Sequence, residues 1–441
     1  MNFALNCILV KRFQRAAATH LIVLAAAAAI WLVGSATAFA QEALRPEIGK
    51  PLQAAQELIK AGKFKEALKK VRDADAVGAR NANETLMVER MRISAASGAG
   101  EIDTAAKAFE IVDASGKVPA PDRIRMIESI AGSYYRAEQY SKAMQWYQRY
   151  FKEGGTSAVN RTLMIQTQYL SGDLAGASRE LIAEIEAAER SGAAPAEDRI
   201  NLLLNAAAMR KDVAAENFAL ERLVTYYPKK AYWANLLGRL QRKPNFSDRL
   251  LLDFYRLSLA TDVMSKSNDY MEMAQLTLQA GLAAEGKAVL DKGFAAAVLG
   301  TGPQAERHQR LRDLVMKRLA ESNLKFADDE KLALAARDGN GLVALGMNAV
   351  FNGQAAKGVQ LMQQGIRKGA LNRPNDAKLH LGIAQLAAGD PAKALATFKS
   401  LTRTDGTDST DGTGGVGGVG DLARLWGIHA THALHAPGAK R

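Results

Sequence analysis

One spacing frame recurs along this chain and constrains its fold more than any other feature. A turn residue, usually glycine, is followed five positions later by alanine or glycine. The frame occurs at Gly62/Ala67, Gly100/Ala105, Glu138/Ala143, Gly172/Ala177, Gly281/Gly286, Gly353/Gly358 and Gly389/Ala394. In the last six, a large apolar residue stands four positions beyond the small one: Phe109, Tyr147, Leu181, Leu290, Met362 and Phe398. The spacing has a physical reading. Glycine ends one helix because it accepts the left-handed cap conformation. The small residue lets the next helix approach closely, and the large one, a turn later on the same face, locks the pair. Leu345-Gly346 and Leu381-Gly382 supply the close-packing positions within the first helices. Successive turns lie 38, 38 and 34 residues apart early in the chain and 36 apart near its end. A fixed period of roughly 20 to 50 residues is the signature of a solenoid, so an all-α, right-handed α-solenoid of helix–turn–helix repeats is expected. Composition agrees: aromatic residues are only 6% of the 441, against the aromatic and β-branched enrichment that sheets prefer.

The array resembles the tetratricopeptide repeat family, whose unit is a helix–turn–helix of about 34 residues with fixed apolar offsets. Ile127, Ile130, Ala131, Tyr134, Tyr140, Ala143 and Tyr147 match that pattern most fully, and Met164, Ile165, Ala177 and Leu181 keep the frame in the next block. Tyr227-Pro228 closes a repeat, and Trp233, Leu236 and Leu237 open another. The resemblance runs from about residue 46 to 401 and implies about eight or nine repeats. Two departures stand out. Glu216 and Arg249 occupy positions where a small residue is expected, marking 211–256 as irregular, and residues 287–345 do not phase.

The two ends read differently. Lys11, Arg12 and Arg15 precede the apolar run of residues 21–33, and Ala38-Phe39-Ala40 follows as a small-x-small cleavage pattern. Residues 1–40 are therefore expected to be a signal peptide, with no transmembrane segment in the chain after cleavage. The single cysteine, Cys7, falls inside that leader. Residues 41–401 are assigned to the repeat array. Residues 402–420, rich in Gly, Asp and Thr, lack the apolar surface to offset ordering entropy and are expected to form a flexible loop. Residues 421–441 are expected to be a capping helix and tail, with Asp421 as N-cap and Leu422, Leu425 and Trp426 docking back near Leu381 and Phe398.

Charge and motif content exclude several functions. The formal charge is +12, or +9 once the three leader cations are removed, but the cations are scattered and form no aromatic-interleaved basic run. Nucleic acid is not an expected partner. No nucleophile elbow, zinc-protease or phosphate-loop motif occurs, and the glycine run around Gly414-Gly415 lies in low-complexity sequence with no strand before it, so no enzyme activity, catalytic residue, cofactor or metal is assigned. His429, His432 and His435 are spaced by three and lack a matching third ligand geometry, while His308 and His380 are lone helical residues expected at the surface or an interface.

A helical array presents an inner surface lined by the first helix of each pair, so binding is the expected function. With the leader, this describes a periplasmic protein–protein interaction scaffold or adaptor of an envelope complex. The YPKKAYW stretch and the DLARLW ending are similar to repeat proteins associated with TonB-type energy transduction. The alternative is a protein that binds envelope polysaccharide or peptidoglycan within an export or assembly machine, an anionic partner to which the basic balance is suited. The repeat phase turns Arg125, Glu128, Tyr135 and Arg136, then Gln166 and Tyr169, then Asn201 and Asn205 towards the inner side. Asparagine both donates to and accepts from an extended backbone, and tyrosine offers flat amphipathic contact area.

Overall fold

The structure is a computed structural model that describes residues 44–244, 246–402 and 418–435. The expected signal peptide, most of the expected loop and the last six residues lie outside the described residues. Among the described residues there are twenty α-helices, two short 3-10 turns and no strand. The fold is all-α, built from helix–turn–helix repeats, as the spacing frame predicts. It divides into two compact units between Ala177 and Ser178.

The first unit contains α1 (Pro46–Lys60), α2 (Phe64–Asp75), α3 (Ala82–Ala99), α4 (Ile102–Ala114), α5 (Ala120–Arg136), α6 (Tyr140–Lys152) and α7 (Ala158–Ser171), and α8 (Leu174–Arg190) carries the division. Consecutive helices pack as hairpins, α1 with α2, α3 with α4 and α5 with α6. The turns fall at the predicted residues: Gly62, Gly100 and, between α7 and α8, Gly172 have φ between +73° and +88°. Glu138 adopts +57° in the same frame, although its Cβ disfavours that conformation. The small residues Ala67, Ala105 and Ala143 and the large residues Phe109 and Tyr147 are completely buried. Around Phe109, Ala143 and Tyr147, the side chains of Ile127, Ile130, Ala131 and Tyr134 complete one core, while Ala67 and Ala105 belong to a second with Ile48, Leu52 and Val71.

The second unit departs from this regularity. Its helices are α9 (Glu197–Arg210), α10 (Val213–Tyr226), α11 (Lys230–Gln241), α12 (Leu251–Ala260), α13 (Ser267–Gln279), α14 (Ala283–Ala295), α15 (Ala305–Ala335), α16 (Asn340–Phe351), α17 (Ala355–Lys368), α18 (Pro374–Ala387), α19 (Pro391–Thr402) and α20 (Val419–His435). Hairpins form between α9 and α10, α13 and α14, α16 and α17, and α18 and α19. The expected irregularity over 211–256 begins later than the sequence suggested. Lys211 takes the turn conformation at φ +57°, α10 is regular, and buried Glu216 is paired by Arg239. Irregularity starts after α11, where a 3-10 turn (Asp248–Leu250) replaces a hairpin.

The block that resists phasing is one long helix. α15 runs 31 residues through the point where a turn would fall, and residues 304–338 contain neither glycine nor proline to stop it. α12 is the opposite of an amphipathic repeat helix: Asp253 to Ser258 are all buried. It touches α13 and α20, and it is bonded to α14 and α18 by side chains.

The C-terminal helix caps the last repeat, with Trp426 stacked on Phe398 at a centroid distance of 6.1 Å and an interplanar angle of 18°. Leu422 and Leu425 are buried beside it. Two details differ from the sequence reading. The helix begins at Val419, so Asp421 lies in its first turn rather than at its N-cap, and its carboxylate receives Lys243 Nζ at 2.6 Å and Arg424 Nη2 at 2.7 Å. An aspartate one turn inside still complements the positive helix end. The helix also reaches back beyond α18 and α19 to α10 and α12, joining the end of the chain to residues about 200 positions earlier.

Candidate functional site

The side chains placed on the inner face by repeat phase are bonded to one another across neighbouring first helices. In the first unit, Tyr135 on α5 donates its hydroxyl to Gln166 Oε1 on α7 at 3.0 Å. Asn160 Nδ2 on α7 donates to Glu128 Oε1 on α5 at 2.9 Å. Tyr135 also meets Tyr140 edge-to-face at 5.9 Å. Arg136 donates to Ser133 Oγ within its own helix, and Arg125 pairs with Asp122 one turn earlier while remaining half-exposed. Tyr169 is half-buried. Burial raises the phenol pKa of both Tyr135 and Tyr169, with Tyr140 adding to the effect at Tyr135, so these hydroxyls remain protonated donors at neutral pH.

The second unit repeats the arrangement. Asn201 Nδ2 on α9 donates to Tyr232 Oη on α11 at 3.0 Å and to the Glu197 carbonyl at 2.9 Å. Tyr232 in turn donates to Glu197 Oε1 at 2.5 Å, and Lys229 Nζ reaches the same carboxylate. Hydrogen bonds from Lys229 and then Tyr232 hold Glu197 below the usual carboxylate range. Asn205, one turn beyond Asn201, is half-buried and makes no side-chain hydrogen bond among the described residues.

The pairs Tyr135/Gln166, Glu128/Asn160 and Asn201/Tyr232 are separated by 31, 32 and 31 residues. Asn160, Glu197, Lys229 and Tyr232 belong to these clusters and are absent from the sequence-based set. Their signal was available, because a polar residue one repeat away on the same helix face is a spatial neighbour in any stacked array.

A second cluster has no counterpart in the sequence reading. Arg256 on α12 grips Glu285 on α14 through two parallel bonds of 2.7 and 2.6 Å and donates to Asp253 Oδ1 at 2.6 Å. His380 Nε2 on α18 lies 3.0 Å from the same Asp253 oxygen. The Arg256, Asp253 and Glu285 side chains are 3%, 4% and 2% exposed. Burial would raise the Asp253 carboxyl, but His380 and Arg256 outweigh it and hold the group at about 2. Burial likewise opposes the charge on Arg256, and the two carboxylates reverse that and raise its pKa. These charges satisfy each other and tie three helices together. Arg249 and Asp376 add a fourth contact between the 3-10 turn and α18.

Of the lone histidines, His308 is buried and accepts from the Gly300 amide at 3.1 Å. Among the described residues, no group of three or more His, Cys, Asp or Glu is arranged to hold a metal ion, and no helix is long and apolar enough to cross a membrane.

No family model matches the sequence, and no curated protein matches it. Among solved structures the chain is similar to a pentatricopeptide repeat protein from maize, at 13% identity and a TM-score of 0.27, over 82% of this chain and 60% of that one. The chain thus spans about three-fifths of the length of that structure. The chain itself is an all-α array of helix–turn–helix repeats whose first helices carry bonded polar and aromatic clusters.

Proposed function

We propose that this protein is an exported scaffold that holds protein partners of a cell-envelope complex on the first-helix faces of its repeats. The observation that carries the reading is the set of polar and aromatic side chains held in place by neighbours one repeat away, Tyr135 with Gln166 and Asn201 with Tyr232. Side chains already fixed in one rotamer lose less entropy when a partner arrives, which is how a repeat surface gains affinity. Half-exposed Arg125 adds charge to the face, and half-buried Asn205 keeps its amide available to an extended peptide backbone. A periplasmic location rests on the leader pattern of residues 1–40, and a role in TonB-type energy transduction on the likeness of YPKKAYW and DLARLW. The basic balance supports a second reading, in which the array binds an anionic envelope polymer such as peptidoglycan or exopolysaccharide.

Two measurements test this. Sequencing the N-terminus of protein purified from cell envelopes should return a mature chain beginning at Gln41. An intact leader would remove the export step. Crosslinking pull-down from intact envelopes should recover protein partners with the wild-type chain, and recovery should fall about tenfold or more when Tyr135, Tyr169, Asn201 and Asn205 are all changed to alanine, a loss of about 1.4 kcal/mol or more in binding. Circular dichroism monitors the helices, because Tyr135 and Asn201 also bond between repeats. Unchanged recovery with intact helices places the binding surface elsewhere. Recovery of glycan in place of protein supports the second reading.

A further inference from the structure

The interface that holds α20 is incompletely satisfied. Trp426 is buried on Phe398, yet its Nε1 has no hydrogen-bond partner among the described residues. A crevice of about 220 Å³, lined in part by Thr225, Leu395, Phe398, Gly427, Ile428 and His432, remains where α10, α19 and α20 meet. Three histidines follow at steps of three along the helix. His432 Nε2 lies 2.8 Å from the Val224 carbonyl oxygen of α10, and His435 Nδ1 lies 2.7 Å from the Thr431 carbonyl oxygen of its own helix. His429 meets the Trp426 ring edge-to-face at 5.6 Å and makes no hydrogen bond among the described residues. An orphaned indole, a half-buried imidazole and an unfilled crevice mark this contact as one of low local stability.

We propose that α20 is an acid-releasable latch: protonation of His429 undocks the helix from α10 and α19 and uncovers the Phe398 face of the last repeat. The carboxylates around the helix are already paired. Asp421 is paired with Lys243 and Arg424, and Glu221 on α10 with Arg424. On α12, Asp253 is held by Arg256 and His380, and on α18, Asp376 is held by Arg249. On α19, Asp390 is paired with Lys393, while Lys399 borders the crevice and adds positive charge. Burial raises Asp421, but Lys243 and Arg424 more than offset it, so this carboxylate stays ionised through mildly acidic pH. The contact of His432 with a carbonyl survives protonation, since a charged ring still donates. His429 has no such compensation. Burial and then His432 push it down to about 4 from an ordinary 6.5.

The docked helix therefore prefers neutral His429, while the undocked helix titrates near 6.5. Docking is at full strength above that pH and weakens as pH falls towards 4. Hydrogen exchange of the full-length chain, corrected for intrinsic rates, reads this directly, with Trp426→Ala as the undocked reference. Protection of residues 419–435 should fall about 30-fold between about pH 7.5 and about pH 5 in the wild type. In His429→Gln it should fall less than about threefold, while His432→Gln keeps most of the drop. If His429→Gln fails to dock at neutral pH, His429→Phe supplies the same non-titrating comparison. No fall in the wild type, or an equal fall in the non-titrating variant that docks, overturns the proposal.

Discussion

Replacing Arg256 with methionine is expected to destabilise the second unit by about 3–5 kcal/mol, because it leaves buried Glu285 without its cation and Asp253 with His380 alone. Asp253 and Glu285 are 4% and 2% exposed and face Arg256 at 2.6–2.7 Å. Methionine fills similar volume, so the loss reports charge and hydrogen bonding rather than a cavity. The cost should depend on pH in a definite direction. Without the guanidinium, burial is unopposed at Glu285, which favours its neutral form, so its pKa in the folded variant rises above the unfolded one. Destabilisation is then smaller in mild acid and grows as pH rises through those values. Urea unfolding of wild type and variant at about pH 5 and about pH 8 reads both magnitude and sign. A loss below about 1 kcal/mol at both pH values would mean that water replaces the cation. The triple change Asp253→Asn, Glu285→Gln and Arg256→Met should recover part of the loss, since removing all three charges removes their desolvation cost as well.

Gly358→Val is expected to be comparably damaging, by about 3 kcal/mol or more, for a steric reason. α16 and α17 touch backbone to backbone. A Cβ at Gly358 would press on the Gly346 carbonyl oxygen and lie 2.8 Å from the Val350 amide nitrogen. The reciprocal Cβ at Gly346 would sit 2.5 Å from the Gly358 carbonyl oxygen and 2.9 Å from the Met362 amide nitrogen. Backbone atoms cannot rotate away as a side-chain tip can, so the two helices must separate and lose their contact. Alanine at Gly358 already meets this clash and should destabilise, reversing the roughly 1 kcal/mol gain that glycine-to-alanine changes give in a helix interior. Gly132→Ala in α5 is the matched control. There the added methyl meets only the Arg136 guanidinium, at 3.4 Å, and the change should be neutral or stabilising. Equal effects of Gly358→Ala and Gly132→Ala on thermal unfolding would contradict the close packing.

The contrast between these residues shows how far sequence reading reaches. Gly358 was identifiable because it stands five positions after Gly353, in a frame repeated throughout the chain. Arg256 was not, because nothing in a spacing pattern says which carboxylates will approach it. Glu285 is 29 residues away on α14, while His380 is on α18 and is brought beside Asp253 only by long-range packing within the second unit. α15 lies between these cases. The lack of glycine and proline over 304–338 is plain in the sequence, yet periodicity alone made the block look like a repeat with a lost phase. The cross-repeat bonds were also partly legible. Helix phase singled out Tyr135, Gln166 and Asn201, but that Tyr135 bonds Gln166 and Asn201 bonds Tyr232 is decided only when one hairpin stacks on the next.

The sequence by itself determined the all-α class, the hairpin turns at Gly62, Gly100, Glu138, Gly172, Gly281, Gly353 and Gly389, the buried residues four positions after each small one, and a C-terminal helix anchored by Trp426. Those features rest on cap conformation, side-chain size and contacts within about one repeat, all of which are written locally. Only the tertiary structure decided that α12 is buried on every side, that Asp253, Arg256 and Glu285 share one site, and that α20 binds α10 as well as the last repeat. These depend on contacts between residues tens to hundreds of positions apart. Burial of a charge or an aromatic ring demands a partner, but which partner arrives is set by how the accumulated turns of successive hairpins close in space.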